Sequence, residues 1–139
     1  MVRRSRNGIV LCVDDEVEAL NLRKAMLESH GYKVLTATNA EEALKIFDST
    51  EVEVVLTDHL LTKGQTGTAL AAEMKLRKPG VAVAIYSGVA QVPDDMYKAD
   101  VFITKLVTPE ELLAYLEATI TAKAKGSTSY IITKGQGAG

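Results

Sequence analysis

The chain has 139 residues, 47% of them hydrophobic and 24% charged, with a formal net charge of -2. That is the length of one domain, with enough apolar content for a packed core. The slight acidity argues against nucleic-acid binding by bulk electrostatics, and no apolar run is long enough to span a membrane.

Residues 1–7 read as an N-terminal tail, whose Arg3, Arg4 and Arg6 form a solvated basic start rather than a nucleic-acid arm. No signal peptide precedes the first apolar run, Ile9-Val10-Leu11-Cys12-Val13. Cys12 is the single cysteine and cannot form an internal disulfide, so it reads as a small core hydrophobe in a reducing, cytoplasmic setting. That run is a strand candidate and ends at Asp14-Asp15. A helical pattern follows from about Val17 to Ser29 and stops at His30-Gly31, where Gly31 suits a left-handed C-cap.

The next strand is expected over 33–38. Asn39, with Glu42 three residues on, then opens a helix whose apolar face is Ala43, Leu44, Ile46 and Phe47. A third strand, 52–57, ends at Asp58, and a helix over about 68–77 stops before Pro79-Gly80. A fourth strand, 81–86, leads into Ser87-Gly88, and the connection 91–98 leaves room only for a shortened fourth helix. A fifth strand, Val101–Thr104, ends at Lys105. The last helix opens with Thr108-Pro109-Glu110-Glu111, which supplies an N-cap, a proline at the first helical position and a glutamate at the third. Leu112, Leu113, Leu116 and Ile120 form its buried stripe. The folded domain is expected over 8–125. Residues 126–139 read as a glycine- and serine-containing C-terminal tail, within which something could hold Tyr130-Ile131-Ile132.

Strictly alternating strands and helices imply a parallel sheet covered on both faces. Short, continuously apolar, β-branched runs fit strands buried on both sides. Open parallel sheets bind ligands beyond the carboxyl ends of their strands, at the switch point in strand order. Asp14, Asp15, Asp58 and Lys105 all end strands, so three carboxylates and one ammonium converge on one place. Carboxylates crowded together repel, and a hard divalent cation held by oxygen ligands relieves that repulsion.

These residues resemble the receiver domains of two-component response regulators, the CheY-like family. The resemblance rests on Val13-Asp14-Asp15-Glu16, Leu56-Thr57-Asp58, Ile85-Tyr86-Ser87-Gly88, Phe102-Ile103-Thr104-Lys105 and Glu111-Leu112, and covers about residues 8–122. It implies a flavodoxin-like, doubly wound, five-stranded parallel sheet of order 2-1-3-4-5. It implies that Asp58 is a phosphoacceptor, charged by a histidine kinase or histidine phosphotransfer protein. Asp15, Asp58 and the Leu60 carbonyl would hold Mg²⁺, with Asp14 holding a metal-bound water or binding more directly. Lys105 would pair with Asp58 and then with a phosphoryl oxygen, and Ser87 would donate its hydroxyl to another. Phe102 would be the switch aromatic. The domain would be a signalling module rather than an enzyme with an external substrate, although it would promote its own phosphoryl transfer and autodephosphorylation. The downstream target, and whether the chain forms a homodimer, stay open.

The chemistry asks for the same residue types. Phosphoryl transfer concentrates charge on the transferred oxygens, so catalysis is mostly positioning and electrostatics. A carboxylate nucleophile gives a mixed anhydride, as in aspartyl-phosphate enzymes.

The sequence departs from the family in three places. After Asp58, Leu61-Thr62 replace the usual Met-Pro, and Gly67 arrives one residue late, which points to a looser loop. Leu106 replaces the proline that usually follows the lysine, so a cis bond there is not the expectation. The stretch from Ser87 to Lys105 is about one helical turn short.

Singly, each feature has a plainer reading. An aspartate after a strand is often a helix N-cap, Ser87-Gly88 could be a turn, Lys105 a surface lysine and Phe102 plain core. His30 and His59 are poor metal-ligand candidates at this spacing. Two rivals remain: a receiver-like protein-interaction module that is never phosphorylated, and a magnesium-dependent phosphohydrolase, for which little chain is left to build a substrate cap.

Overall fold

The computed structural model describes residues 8–88, 91–126 and the backbone of 130–132. Its elements, in chain order, are β1 (Ile9–Val13), α1 (Val17–Ser29), β2 (Lys33–Ala37), α2 (Ala40–Ser49), β3 (Val54–Thr57), α3 (Gly67–Arg77), β4 (Ala82–Ser87), β5 (Val101–Thr104), α4 (Pro109–Ala124) and β6 (Tyr130–Ile132). All sheet pairings are parallel, and the order is β2-β1-β3-β4-β5-β6. The expected order 2-1-3-4-5 is therefore present in full.

One strand is added. Tyr130–Ile132 falls inside the stretch expected to be tail, yet its backbone pairs with β5, setting Val101 opposite Tyr130 and Phe102 opposite Ile131. Helix α4 carries the chain back across the sheet, and Gly126, at φ +79°, adopts the left-handed turn that ends it. A β-branched run arriving there meets the open hydrogen-bonding edge of β5. The expected tail segments at 1–7, 127–129 and 133–139 lie outside the described residues.

Side chains alternate between two cores, as buried strands require. Leu11, Val13, Val55, Val83, Ile85 and Phe102 face α2 and α3, where Phe47, Leu70 and Met74 meet them. Val10, Cys12, Val54, Leu56, Ala84 and Ile103 face α1 and α4, against Leu20, Leu27, Leu112 and Leu116.

The local helix signals operate as the sequence implies. Gly31 ends the first helical turn-out at φ +94°. Asn39 Oδ1 accepts from the Glu42 N–H at 2.8 Å, while the Glu42 carboxylate reaches one residue further back, to the Thr38 N–H. Thr108 and Glu111 complete a reciprocal capping box, with Thr108 Oγ1 accepting at 3.1 Å and Glu111 Oε1 accepting at 2.8 Å.

Between β4 and β5 the shortening is more complete than an abbreviated α-helix. Among the described residues the connection carries only a single 3-10 turn, Met96–Lys98. Met96 plugs the core there, and Thr68 Oγ1 donates to Asp95 at 2.9 Å, tying the connection to α3.

Candidate functional site

The site lies at the carboxyl ends of β1, β3 and β5, the three strands followed directly by a charged residue, Asp14, Asp58 and Lys105. Backbone bonds carry the sheet ladder one step past the strands: the Asp14 N–H donates to Ala37 O at 3.1 Å, and the Asp58 N–H to Val13 O at 2.9 Å. Asp14 and Asp58 are therefore held by sheet geometry rather than by loose loops. One carboxylate oxygen each from Asp14, Asp15 and Asp58 lies within 4.8 Å of the others. Asp14 is buried, Asp58 half-buried and Asp15 exposed. Lys105 reaches across from the end of β5, its Nζ 3.3 Å from Asp14 Oδ2 and 3.7 Å from Asp58 Oδ2.

The two inner carboxylates are tuned in opposite directions. Burial pushes Asp58 above the usual carboxylate range, helped by the charge of Asp14 and opposed by Lys105 and the His59 N–H. Burial also pushes Asp14 up, but the Glu16 N–H, Lys105 and Arg23 together hold it below that range. The surroundings thus favour the anion at Asp14 and disfavour it at Asp58.

Arg23 touches the acidic cluster and was missed by motif reading. It sits on α1 between Leu20 and Leu27, on the stripe that faces the sheet, and is only 8% exposed. Its guanidinium donates to Asp14 Oδ2 at 3.2 Å and lies over the Tyr86 ring at 4.9 Å. Lys105 approaches the same ring at 5.6 Å. The signal was available: a charge at a position where the 3-4 apolar spacing calls for a hydrophobe needs a buried partner.

The other expected residues are placed as follows. Ser87 ends β4 and is buried, and its carbonyl accepts from the Lys105 N–H at 2.9 Å. Leu60 opens the loop after Asp58, where it pairs with Thr66 in an isolated antiparallel bridge. That loop absorbs its extra residue in a tight 3-10 turn, Thr62–Gly64, with Lys63 at φ +63° and Gly64 at φ +71°. It is braced by the Leu61 N–H to Gln65 O at 2.9 Å and the Gly67 N–H to His59 O at 2.7 Å. Every described peptide bond is trans, including Lys105-Leu106. Phe102 is set apart from the acidic residues: it lies within β5, fully buried in the α2/α3 core.

A sequence model of the response regulator receiver domain matches residues 10–117. This chain belongs to the response regulator receiver domains. Among curated relatives, the probable transcriptional regulator ycf27 of Guillardia theta is 29% identical over 131 residues, covering 91% of this chain and 51% of that protein. The chain spans about half the length, or less, of the curated relatives it matches. A CheY-like receiver domain from Methanospirillum hungatei superposes with a TM-score of 0.78 at 27% identity, covering 88% of this chain and 100% of the other. TrrA from Thermotoga maritima, solved in complex with Mg²⁺-BeF, gives 0.75 at 28% identity, with coverage of 81% and 98%. Among the described residues of this receiver domain, no helix is long and apolar enough to cross a membrane.

Proposed function

We propose that this receiver domain accepts a phosphoryl group on Asp58 from the phosphohistidine of a histidine kinase or phosphotransfer protein. The observation that carries the reading is the convergence of the Asp14, Asp15 and Asp58 carboxylates within 4.8 Å, with Lys105 at 3.7 Å from Asp58. An Asp58 carboxylate oxygen forms the new bond to phosphorus as the bond from phosphorus to the donor nitrogen breaks, and the donor imidazole, protonated on its other ring nitrogen, departs as neutral histidine. Lys105 would stay beside the acceptor to meet a phosphoryl oxygen, and the Ser87 hydroxyl would donate to another.

The residues present fit a hard divalent cation, since the converging donors are all oxygen and carry surplus negative charge. Asp15, Asp58 and the Leu60 carbonyl would hold Mg²⁺, with Asp14 in support. The ion would supply positive charge against the transferred oxygens. Exposed apolar side chains rim this end of the sheet: Val17 after β1, Leu60 after β3 and Leu106 after β5. A partner that brings its histidine to Asp58 would cover them, which favours phosphotransfer from a protein over hydrolysis of a small external substrate. The cytoplasm is the compartment this reading requires. The downstream target would be a protein, and neither nucleic acid nor membrane is needed as a direct partner.

Acetyl phosphate with Mg²⁺ tests this. Intact mass should show one added phosphoryl group, and Asp58→Asn should show none. Undiminished labelling of that variant would overturn Asp58 as the acceptor. A native chain that resists every phosphodonor would instead favour the non-phosphorylated interaction module.

A further inference from the structure

Arg23 is an expensive residue in its position. Its neighbours on the α1 stripe, Leu20 and Leu27, are 2% and 0% exposed, and an arginine among them must be neutralised or it destabilises the fold. The neutralising partner is Asp14, itself 1% exposed, at 3.2 Å. Tyr86 supplies the apolar and cation-π surface beneath the guanidinium. Asp14 is then heavily engaged: Oδ2 accepts from both Arg23 and Lys105, and Oδ1 accepts from the Glu16 N–H at 2.9 Å.

This changes the charge that an entering cation meets. Asp14, Asp15 and Asp58 carry three negative charges, and Lys105 alone would leave two of them unbalanced; Arg23 removes one more. The guanidinium also adds a fixed positive charge on the α1 side, where it repels a divalent ion. We propose that Arg23 is a specificity-determining residue of the acidic site: by holding Asp14 as its own counter-ion, it leaves Asp15 and Asp58 as the open carboxylates and weakens divalent-cation binding. The inference rests on the metal site proposed above and goes beyond it, because it assigns the tuning of that site to a residue outside it.

The test is a Mg²⁺ titration of the full chain, followed by amide NMR signals of residues 13–15 and 58–60. Arg23→Gln and Arg23→Leu remove the charge, and Leu also completes the apolar stripe. Both should bind Mg²⁺ roughly tenfold more tightly. Arg23→Lys, which keeps the charge, should stay within about twofold of the native chain. A purely structural role for Arg23 gives the opposite sign, because a disturbed site binds metal less well. A folded Gln or Leu variant with unchanged or weaker affinity therefore overturns the proposal.

Should both neutral variants fail to fold, the native chain still decides. At saturating Mg²⁺ the side-chain carboxylate carbon signals of Asp15 and Asp58 should move clearly further than that of Asp14, while the Arg23 Nε–H stays in place. Movement of Asp14 as large as that of Asp15 overturns the proposal. Labelling by acetyl phosphate, run in parallel, separates the two ideas. Labelling of the native chain with no tightening in the variants defeats the role of Arg23 alone. Tightening without labelling defeats phosphoacceptance alone. No Mg²⁺ response in any chain defeats both Arg23's role and the metal site.

Discussion

A β-carbon at position 67 would lie 2.4 Å from the backbone carbonyl oxygen of Asp58, so Gly67 and the candidate phosphoacceptor compete for one space. Ile85 and Thr57 close the pocket at 3.1 and 3.2 Å, and the Gly67 N–H donates to the His59 carbonyl at 2.7 Å. The first turn of α3 can lean on the end of β3 only because residue 67 has no side chain. Gly67→Ala should therefore cost roughly 2 kcal/mol through overpacking. It should also displace the amide signals of Asp58 and His59 more than those of the distal strand ends. A urea-unfolding midpoint within error of the native value, with those signals unmoved, would contradict this contact.

The half-buried Asp58 works against the fold. Its carboxyl is held above the ordinary value of 3.8, chiefly by burial, with Asp14 adding repulsion. Above pH 3.8 the unfolded chain ionises this group more readily than the folded one does, so the group lowers stability as pH rises through its folded value. Asp14 behaves in the opposite way: its lowered value makes it stabilising above pH 3.8, and that contribution is lost as pH falls through its folded value. Asp58→Asn should accordingly raise stability at pH 7 by about 1 kcal/mol, the usual scale for relieving a functional site. The gain should shrink as pH falls toward the carboxylate range. Thermal unfolding at pH 7 and at acid pH checks both parts, and a variant less stable at neutral pH would refute the reading.

The sheet was legible because its strands are buried on both faces and so appear as apolar runs bounded by charge. β1 and β5 fall where the sequence places them, and the Thr108 capping box is present bond for bond. The candidate site was legible for the same reason, since residues that end parallel strands share one edge of the sheet. Arg23 was not legible by motif, because its partner Asp14 lies on another element and only the packing of α1 brings them together. Tyr130–Ile132 was obscured by flanking glycine and serine, which advertise a tail, while an open strand edge is a property of the whole sheet. Phe102 was placed correctly in its strand, but the state of its ring depends on tertiary packing that spacing does not encode.

Cys12 offers a clock for global opening. It is fully buried in β1, and burial, with a smaller push from Asp14 that Arg23 opposes, raises its thiol from 9.0 to about 12. The folded chain at pH 8.5 should therefore react with a thiol reagent only as fast as it unfolds. Stability should also fall as pH rises above 9.0, because the unfolded thiol ionises there and the folded one does not until about 12. Rapid labelling in native buffer, independent of urea concentration, would show that β1 opens locally.

Phe102 is fully buried in β5, with its backbone opposite Ile131 of β6. Ser87 ends the neighbouring strand opposite Thr104, one residue before Lys105. A phosphoryl group on Asp58 that draws in the Ser87 hydroxyl and Lys105 would pull on the ends of both β4 and β5. Among the described residues only a 3-10 turn lies between those strands, so little helix is available there to report the change, and the β5 edge becomes the nearer output. Beryllofluoride, standing in for the phosphoryl group, should then alter amide signals at Phe102, at residues 91–98 and at 130–132. Ser87→Ala should weaken that response severalfold while leaving beryllofluoride binding detectable, since it removes one neutral donor and no charge. A beryllofluoride complex whose shifts stop at residues 13–15, 58–60 and 105 would instead confine the output to the loops around the site.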